Sequence, residues 1–235
     1  MTIPELRCVF FGDSITAGQY VEESHRWTTL IGDRLTKSGL LDVAYSVGAV
    51  SGETTRQGLE RFSDDVQAVR PDVITIQFGL NDCNRWQTDG GLPRVSESAF
   101  EANLLEMINR ARHFGTTQVI LLTTHPTLRT TTFDDGSTYE QGRRRYNEIV
   151  RVVARSAQVR LRDIESEFEV HAHRLQELLL PPPDVLHLSI AGHAVYADVL
   201  ESVLRDAILT VRRNADGTPP SGEKAGTVGE AVSAS

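Results

Sequence analysis

The chain has 235 residues, of which 40% are hydrophobic and 24% charged, and its formal net charge is −8. This length suits one sizeable domain of ordinary globular composition, and the negative charge argues against a nucleic-acid-binding surface. No apolar run approaches the roughly 18–20 residues of a membrane span, and residues 1–7 lack the features of a secretory signal, so we expect a cytoplasmic protein.

Short apolar runs alternate with longer amphipathic stretches along the chain. Five runs predict buried strands, at residues 9–11, 43–47, 73–78, 119–123 and 159–161. Apolar residues at helical spacing between Leu104 and Phe114 predict a helix that stops at Gly115, and a stripe from Tyr196 to Ala207 predicts a closing helix. The basic run Arg143-Arg144-Arg145 lies in another predicted helix, where we favour a solvated face over an anion-binding patch.

Repeated strand–helix units predict the α/β class. We expect a three-layer α/β/α sandwich with a central five-stranded parallel sheet in flavodoxin-like order, formed by residues 1–213. Residues 214–235 contain no aromatic residue, leucine or isoleucine, which predicts a disordered tail. Cys8 and Cys83 are expected to be free thiols.

The first candidate for chemistry is the tripeptide Gly12-Asp13-Ser14, directly after the first apolar run. Open α/β sheets place their active sites at the carboxyl ends of strands. Ser14 is therefore a candidate nucleophile, although a serine here equally suits a capping role. A serine hydroxyl also needs a base and an oxyanion site before it can act as a nucleophile.

Two glycine-bearing turns follow later strands. Gly79-Leu80-Asn81-Asp82 comes after the third run, where the Asn81 amide suits oxyanion stabilisation but also an Asx turn. Gly52, in Ser51-Gly52-Glu53, allows close backbone approach to a ligand or forms a simple turn before a helix.

Asp184 precedes His187 by three residues, after a run of three prolines. At that spacing, a carboxylate can reach the imidazole and fix which ring nitrogen carries the proton. The other histidines lack an acid at this spacing in a loop. Of these, His125 follows the fourth strand at the same sheet edge.

Taken in order, these four blocks resemble the GDSL, or SGNH, hydrolase family, from Phe11 to His187. The resemblance implies that Ser14 is the nucleophile, that His187 is the base and that Asp184 orients it. It also implies an oxyanion hole formed by the N–H groups of Ser14 and Gly52 and the Asn81 amide. The asparagine that usually precedes the glycine block is missing here, which leaves the support of that loop open.

The resemblance implies a serine esterase that hydrolyses carboxylic esters through an acyl-enzyme. Asp13, Asp82, Trp86 and His125 are candidates for the pocket wall. No phosphate-binding, dinucleotide-binding or convincing metal-ligand motif occurs, so we expect no cofactor or metal. The expected partner is a small-molecule ester.

The loops at residues 83–96 and 126–138 carry many polar side chains and few large aliphatic ones. They favour a short-chain or O-acetyl ester, such as an acetylated sugar, over a long acyl chain. The alternatives are an acyltransferase with the same triad, a lipase or thioesterase for longer chains, and a non-catalytic binding domain.

Overall fold

The computed structural model describes residues 5–40 and 43–216. Its sheet has five parallel strands in the order β2-β1-β3-β4-β5. These strands are β1 (Leu6–Gly12), β2 (Val43–Ala49), β3 (Val73–Gln77), β4 (Gln118–Leu122) and β5 (Arg160–Arg162). This is the flavodoxin-like, doubly wound order. The predicted five-stranded parallel α/β fold is confirmed, and every strand end lies within three residues of its predicted position.

Helices cover the sheet on both faces. They are α1 (Ser14–Ala17), α2 (Trp27–Lys37), α3 (Thr55–Phe62), α4 (Glu97–His113), α5 (Tyr139–Ser156), α6 (Ile164–Val170), α7 (Leu175–Leu178) and α8 (Ile190–Ala215). Helix α2 packs against α8, and α4 packs against α3 and α5. Helix α8 continues past the predicted boundary at residue 213, and residues 217–235 of the predicted tail lie outside the described residues.

Alternating aromatic residues of β1 tie the sheet to both helical layers. The Phe10 ring lies 5.0 Å from the Trp27 ring of α2, whereas the Phe11 ring lies 5.2 Å from the Phe62 ring of α3. Successive strand residues point to opposite faces, so a strand buried on both sides is apolar at most of its residues. At the end of β1, a Cβ on Gly12 would lie 2.7 Å from the Gln77 carbonyl oxygen, which restricts that position to glycine.

The solvated-face prediction is wrong for Arg143. Its side chain is 0% exposed and donates to Glu140, to Glu165 (2.8 Å) and to the Thr124 carbonyl oxygen. A charge can be buried in this way because its N–H groups find acceptors and counter-charges. Arg144 and Arg145 of the same run are exposed.

No helix within the described ranges combines the length and apolarity needed to cross a bilayer.

Candidate active site

Four separate segments meet at the carboxyl edge of the sheet. Ser14 follows β1, Gly52 follows β2, Asn81 follows β3, and Asp184 and His187 lie in the loop before α8. Parallel strands end at the same edge, and the strand order places β1 between β2 and β3. Segments far apart in the sequence therefore surround Ser14.

A hydrogen-bonded relay joins three side chains. The Ser14 Oγ lies 2.9 Å from Nε2 of His187, and Nδ1 of His187 lies 2.8 Å from Oδ2 of Asp184. Because Nδ1 donates to the carboxylate, Nε2 is left to accept the serine proton. The relay has the geometry of a nucleophile, a base and an orienting acid.

The Asp184 carboxylate is held by its own loop. Its Oδ1 accepts the backbone N–H groups of Leu186 (3.0 Å) and His187 (2.7 Å). Burial alone would raise the pKa of Asp184, but the bonds from the backbone and ring of His187 and from Leu186 together lower it. Asp184 is therefore ionised at neutral pH and can stabilise an imidazolium.

A cavity of about 260 Å³ opens beside this relay. Most of its lining residues are polar, and Leu80 and Leu186 are its aliphatic members. The remaining lining residues are Ser14, Gln19, Ser51, Gly52, Asn81, Asn84, Arg129 and His187. The predicted nucleophile, base and oxyanion donors thus share one small space.

Two of the predicted oxyanion donors line that cavity from neighbouring loops. Gly52 has a φ of +81°, a left-handed conformation that favours glycine. The Asn81 Nδ2 donates to the Glu53 carbonyl oxygen (3.0 Å) and weakly to Asp13 Oδ2 (3.5 Å). These contacts are not those of an Asx turn, in which the side-chain oxygen accepts from its own loop.

Arg61 of α3 supports the loop that lacks the family asparagine. Its guanidinium donates to the carbonyl oxygens of Gly12 and Gly48, both at 2.9 Å, and to the carboxylates of Glu53 and Asp65. One side chain therefore fixes the ends of β1 and β2 and the segment just after Gly52. Sequence reasoning missed this residue, because nothing in its local pattern shows what it reaches.

Three candidates for the pocket wall lie behind the cavity instead. Asp13, Asp82 and His125 are all fully buried, and none lines the cavity. Asp13 caps α1 by accepting the Ile15 N–H, whereas His125 Nε2 donates to the Leu186 carbonyl oxygen (2.9 Å). The prediction for these three is corrected: they hold the loops that carry the candidate catalytic groups.

The buried carboxyl groups of Asp13 and Asp82 both have raised pKa values. Burial raises the pKa of Asp13 from 3.8 to about 7, and the nearby Asp82 adds to the shift. Burial likewise raises the pKa of Asp82 to about 6, against hydrogen bonds from the Thr55 hydroxyl and backbone N–H. Burial also lowers the pKa of His125 to about 3, so this imidazole is neutral.

The two flanking loops are tied together above the site. Arg85 pairs with Asp135 at 2.7 Å and stacks on Phe133. Asn84 and Arg129, one from each loop, line the cavity with Ser14. Trp86 lines a neighbouring cavity, which corrects its predicted place in the wall beside Ser14.

Tyr20 is a further residue that the sequence did not reveal. Its φ is +67°, an unusual conformation for a bulky residue, and its side chain is 69% exposed. The ring stands edge-on to the His187 imidazole, with centroids 5.2 Å apart. Tyr20 therefore forms an exposed rim beside the candidate base.

Both cysteines are free and buried, as expected. Burial raises the pKa of Cys83 to about 12, which keeps its thiol protonated. Throughout residues 5–40 and 43–216, no three His, Cys, Asp or Glu side chains are grouped so that they could hold a metal ion.

The chain is similar in sequence to proteins named as esterases. The arylesterase of Vibrio mimicus is 30% identical over 115 residues, which cover 49% of this chain and 53% of that protein. The esterase TesA of Pseudomonas aeruginosa is 31% identical over 111 residues, covering 47% and 50%. The chain thus spans about half the length of the curated relatives it matches.

A solved lipase/acylhydrolase from Enterococcus faecalis superposes with a TM-score of 0.67 at 25% identity, covering 93% of this chain and all of that one. The model of the GDSL-like lipase/acylhydrolase family matches residues 10–195, which contain every segment of the site. The family resemblance predicted from the sequence is therefore confirmed, and the chain belongs to the GDSL-like lipase/acylhydrolase family.

Proposed function

We propose that this protein is a serine esterase that hydrolyses short-chain carboxylic esters. The observation that carries the proposal is the relay from Ser14 Oγ through His187 to Asp184, with contacts of 2.9 and 2.8 Å. These are hydrogen-bond distances at which a proton can pass from the hydroxyl to the imidazole.

In the first half of the reaction, Ser14 Oγ attacks the ester carbonyl carbon while His187 Nε2 takes its proton. Asp184 stabilises the imidazolium that forms. The negative oxygen of the tetrahedral intermediate is held by the N–H groups of Ser14 and Gly52 and by the Asn81 amide. No hydrogen bond within the described chain occupies either of those two backbone N–H groups. His187 then protonates the leaving alcohol, and the acyl group remains on Ser14.

In the second half, water replaces the alcohol. His187 again acts as the base, the water oxygen attacks the acyl carbon, and Ser14 recovers its proton as the acid departs. The same oxyanion donors serve both steps.

The test of the mechanism is paired substitution with a matched serine control. Ser14→Ala and His187→Ala should each remove nearly all esterase activity while leaving the melting temperature close to that of the wild type. Ser24 supplies the control, since it is an exposed serine whose Oγ lies 3.2 Å from the ring of His25, outside the cavity. Ser24→Ala should retain full activity, whereas turnover by purified Ser14→Ala would refute the mechanism.

The preference for short acyl chains rests on the size and polarity of the cavity. A cavity of about 260 Å³, lined by two asparagines, a glutamine and an arginine, has room for a short acyl group and places polar side chains where a long chain would lie. Burying methylene groups against these amides and the guanidinium would displace water from polar groups without replacing its hydrogen bonds.

Acetyl, octanoyl and palmitoyl esters of one leaving group provide the test. We expect kcat/KM to be highest for the acetyl ester. A preference for the palmitoyl ester would refute the proposed short acyl chain, whereas the proposed catalytic mechanism would be unaffected.

A further inference from the structure

A second cavity, of about 220 Å³, borders the loop that carries Gly52. Its wall consists of Thr54, Arg56, Gln57, Trp86, Asp89 and Arg94, none of which lines the cavity at Ser14. The two cavities are joined through Arg94, whose Nη1 donates to the Gly52 carbonyl oxygen at 2.9 Å. A ligand in this cavity would therefore lie one loop away from the nucleophile.

The wall contains an exposed aromatic ring held in a fixed position. Trp86 is 50% exposed, whereas the chain's other tryptophan, Trp27, is fully buried. The Arg94 guanidinium lies 4.1 Å from the centroid of the indole and is itself fixed by Gly52 and by Gln57 Oε1. Half of a large flat apolar surface thus remains available to a ligand without a need for rearrangement.

The polar groups around this ring have opposite character. Arg56 and Arg94 supply N–H donors, and Asp89, which interacts with the charge of Arg94, supplies carboxylate acceptors. No side-chain hydrogen bond within the described residues involves Arg56 or Asp89. An anion could pair with Arg56 but would leave the Asp89 carboxylate without a donor, and a hydrocarbon would desolvate both charges without replacing their hydrogen bonds. A neutral polyhydroxylated ring meets both demands, because each hydroxyl donates and accepts.

We propose that this cavity is a binding subsite for a neutral sugar ring in the alcohol portion of the substrate ester. The C–H face of the sugar would stack on Trp86, and its hydroxyls would bond to Arg56, Asp89 and Gln57. This inference rests on the proposed esterase function for the claim that the ligand is part of an ester. The binding of a sugar at Trp86 does not depend on that function and is tested separately.

The binding test uses the chain's own fluorescence and needs no turnover. Since Trp27 is buried, acrylamide should quench mainly Trp86. In Ser14→Ala protein, xylobiose and cellobiose should protect that emission saturably, lowering the quenching constant by about twofold as the indole is covered. If glucuronate or phosphate protects the emission and the neutral disaccharides do not, the cavity is an anion site and the proposal is overturned. If neither xylobiose nor cellobiose protects it, the proposal is also overturned.

The catalytic test compares two acetyl esters, mono-O-acetyl xylobiose and ethyl acetate. Trp86→Ala should lower kcat/KM for the sugar ester by about tenfold through the lost ring contact and leave ethyl acetate hydrolysis unchanged. Trp86→Phe should restore part of the loss. Leu92→Ala is the matched control, since Leu92 is 69% exposed in the same loop and lines neither cavity.

The outcomes separate the two proposals. If the wild type hydrolyses neither ester, the esterase function is refuted. The acrylamide quenching experiment still shows in that case whether a sugar binds at Trp86. If the wild type hydrolyses both esters and Trp86→Ala slows both reactions to the same extent, the subsite proposal is overturned and the esterase function stands.

Discussion

Removing the Asn81 amide tests whether this side chain stabilises the oxyanion or only braces its loop. The Nδ2 group has two N–H bonds. One is engaged by the Glu53 carbonyl oxygen at 3.0 Å, and the other has only a weak contact with Asp13 at 3.5 Å. That second N–H is available to a developing negative charge in the cavity that Asn81 lines.

The expected magnitude follows from these contacts. Loss of one oxyanion donor costs about 2.7–4 kcal/mol in the transition state, or about 10²–10³ in kcat. Loss of the bond to Glu53 costs about 1 kcal/mol of folding stability. Asn81→Ala should therefore lower kcat by about 10²–10³, change KM by less than about threefold, and lower the free energy of unfolding slightly.

The assay is steady-state kinetics on an acetyl ester, with urea unfolding as the stability control. Asn84→Ala is the matched variant, because Asn84 lines the same cavity and its side chain makes no hydrogen bond within the described residues. It should keep kcat close to that of the wild type. A decrease below about threefold for Asn81→Ala would show that the amide is structural and refute its role in the oxyanion hole.

Three further substitutions probe the supports of the site. Asp184→Asn should lower kcat by about 10⁴-fold with little change in KM, because the amide favours the wrong imidazole tautomer; kinetics within tenfold of the wild type would contradict the triad. Arg61→Ala should lower kcat by about tenfold and stability by about 2–4 kcal/mol, with Arg61→Lys intermediate because an ammonium lacks the planar fork; unchanged kcat would refute its support of the oxyanion loop. For Asp82, whose pKa is raised to about 6, the folded state binds a proton more tightly than the unfolded chain, so its contribution to stability falls as pH rises from about 4 to 6. Asp82→Asn should remove this part of the pH dependence and leave the part due to Asp13, so that the unfolding free energy of the variant relative to the wild type rises by about 3 kcal/mol between pH 3 and pH 8; parallel pH profiles of unfolding free energy for the two proteins would contradict this.

The fold and the position of the site were predictable because both depend on local patterns. A strand buried on both faces is apolar at most residues, and the break at Gly12 marks where β1 ends. Once each block is placed after a strand, a parallel sheet brings the blocks to one edge. The spacing of Asp184 and His187 is also local, since both belong to one loop whose backbone N–H groups hold the carboxylate.

Contacts across the chain were not predictable in the same way. Arg61 supports a loop through acceptors as much as 49 residues away, and no pattern around position 61 indicates them. Arg143 is different, since it lies four residues after the buried Tyr139 and three before the buried Tyr146. Helical spacing places it on the inner face, and the run of three arginines obscured that signal.

The loop at residues 83–96 contributes side chains to both cavities and connects them. Asn84 belongs to the space at Ser14, whereas Trp86 and Arg94 belong to the neighbouring cavity. The Arg94 bond to the Gly52 carbonyl oxygen joins the two, so the same residue that stacks on the exposed indole also restrains an oxyanion loop. Binding energy from a sugar ring on Trp86 can in this way favour the loop geometry that the transition state needs, which would raise kcat as well as lower KM for the natural ester.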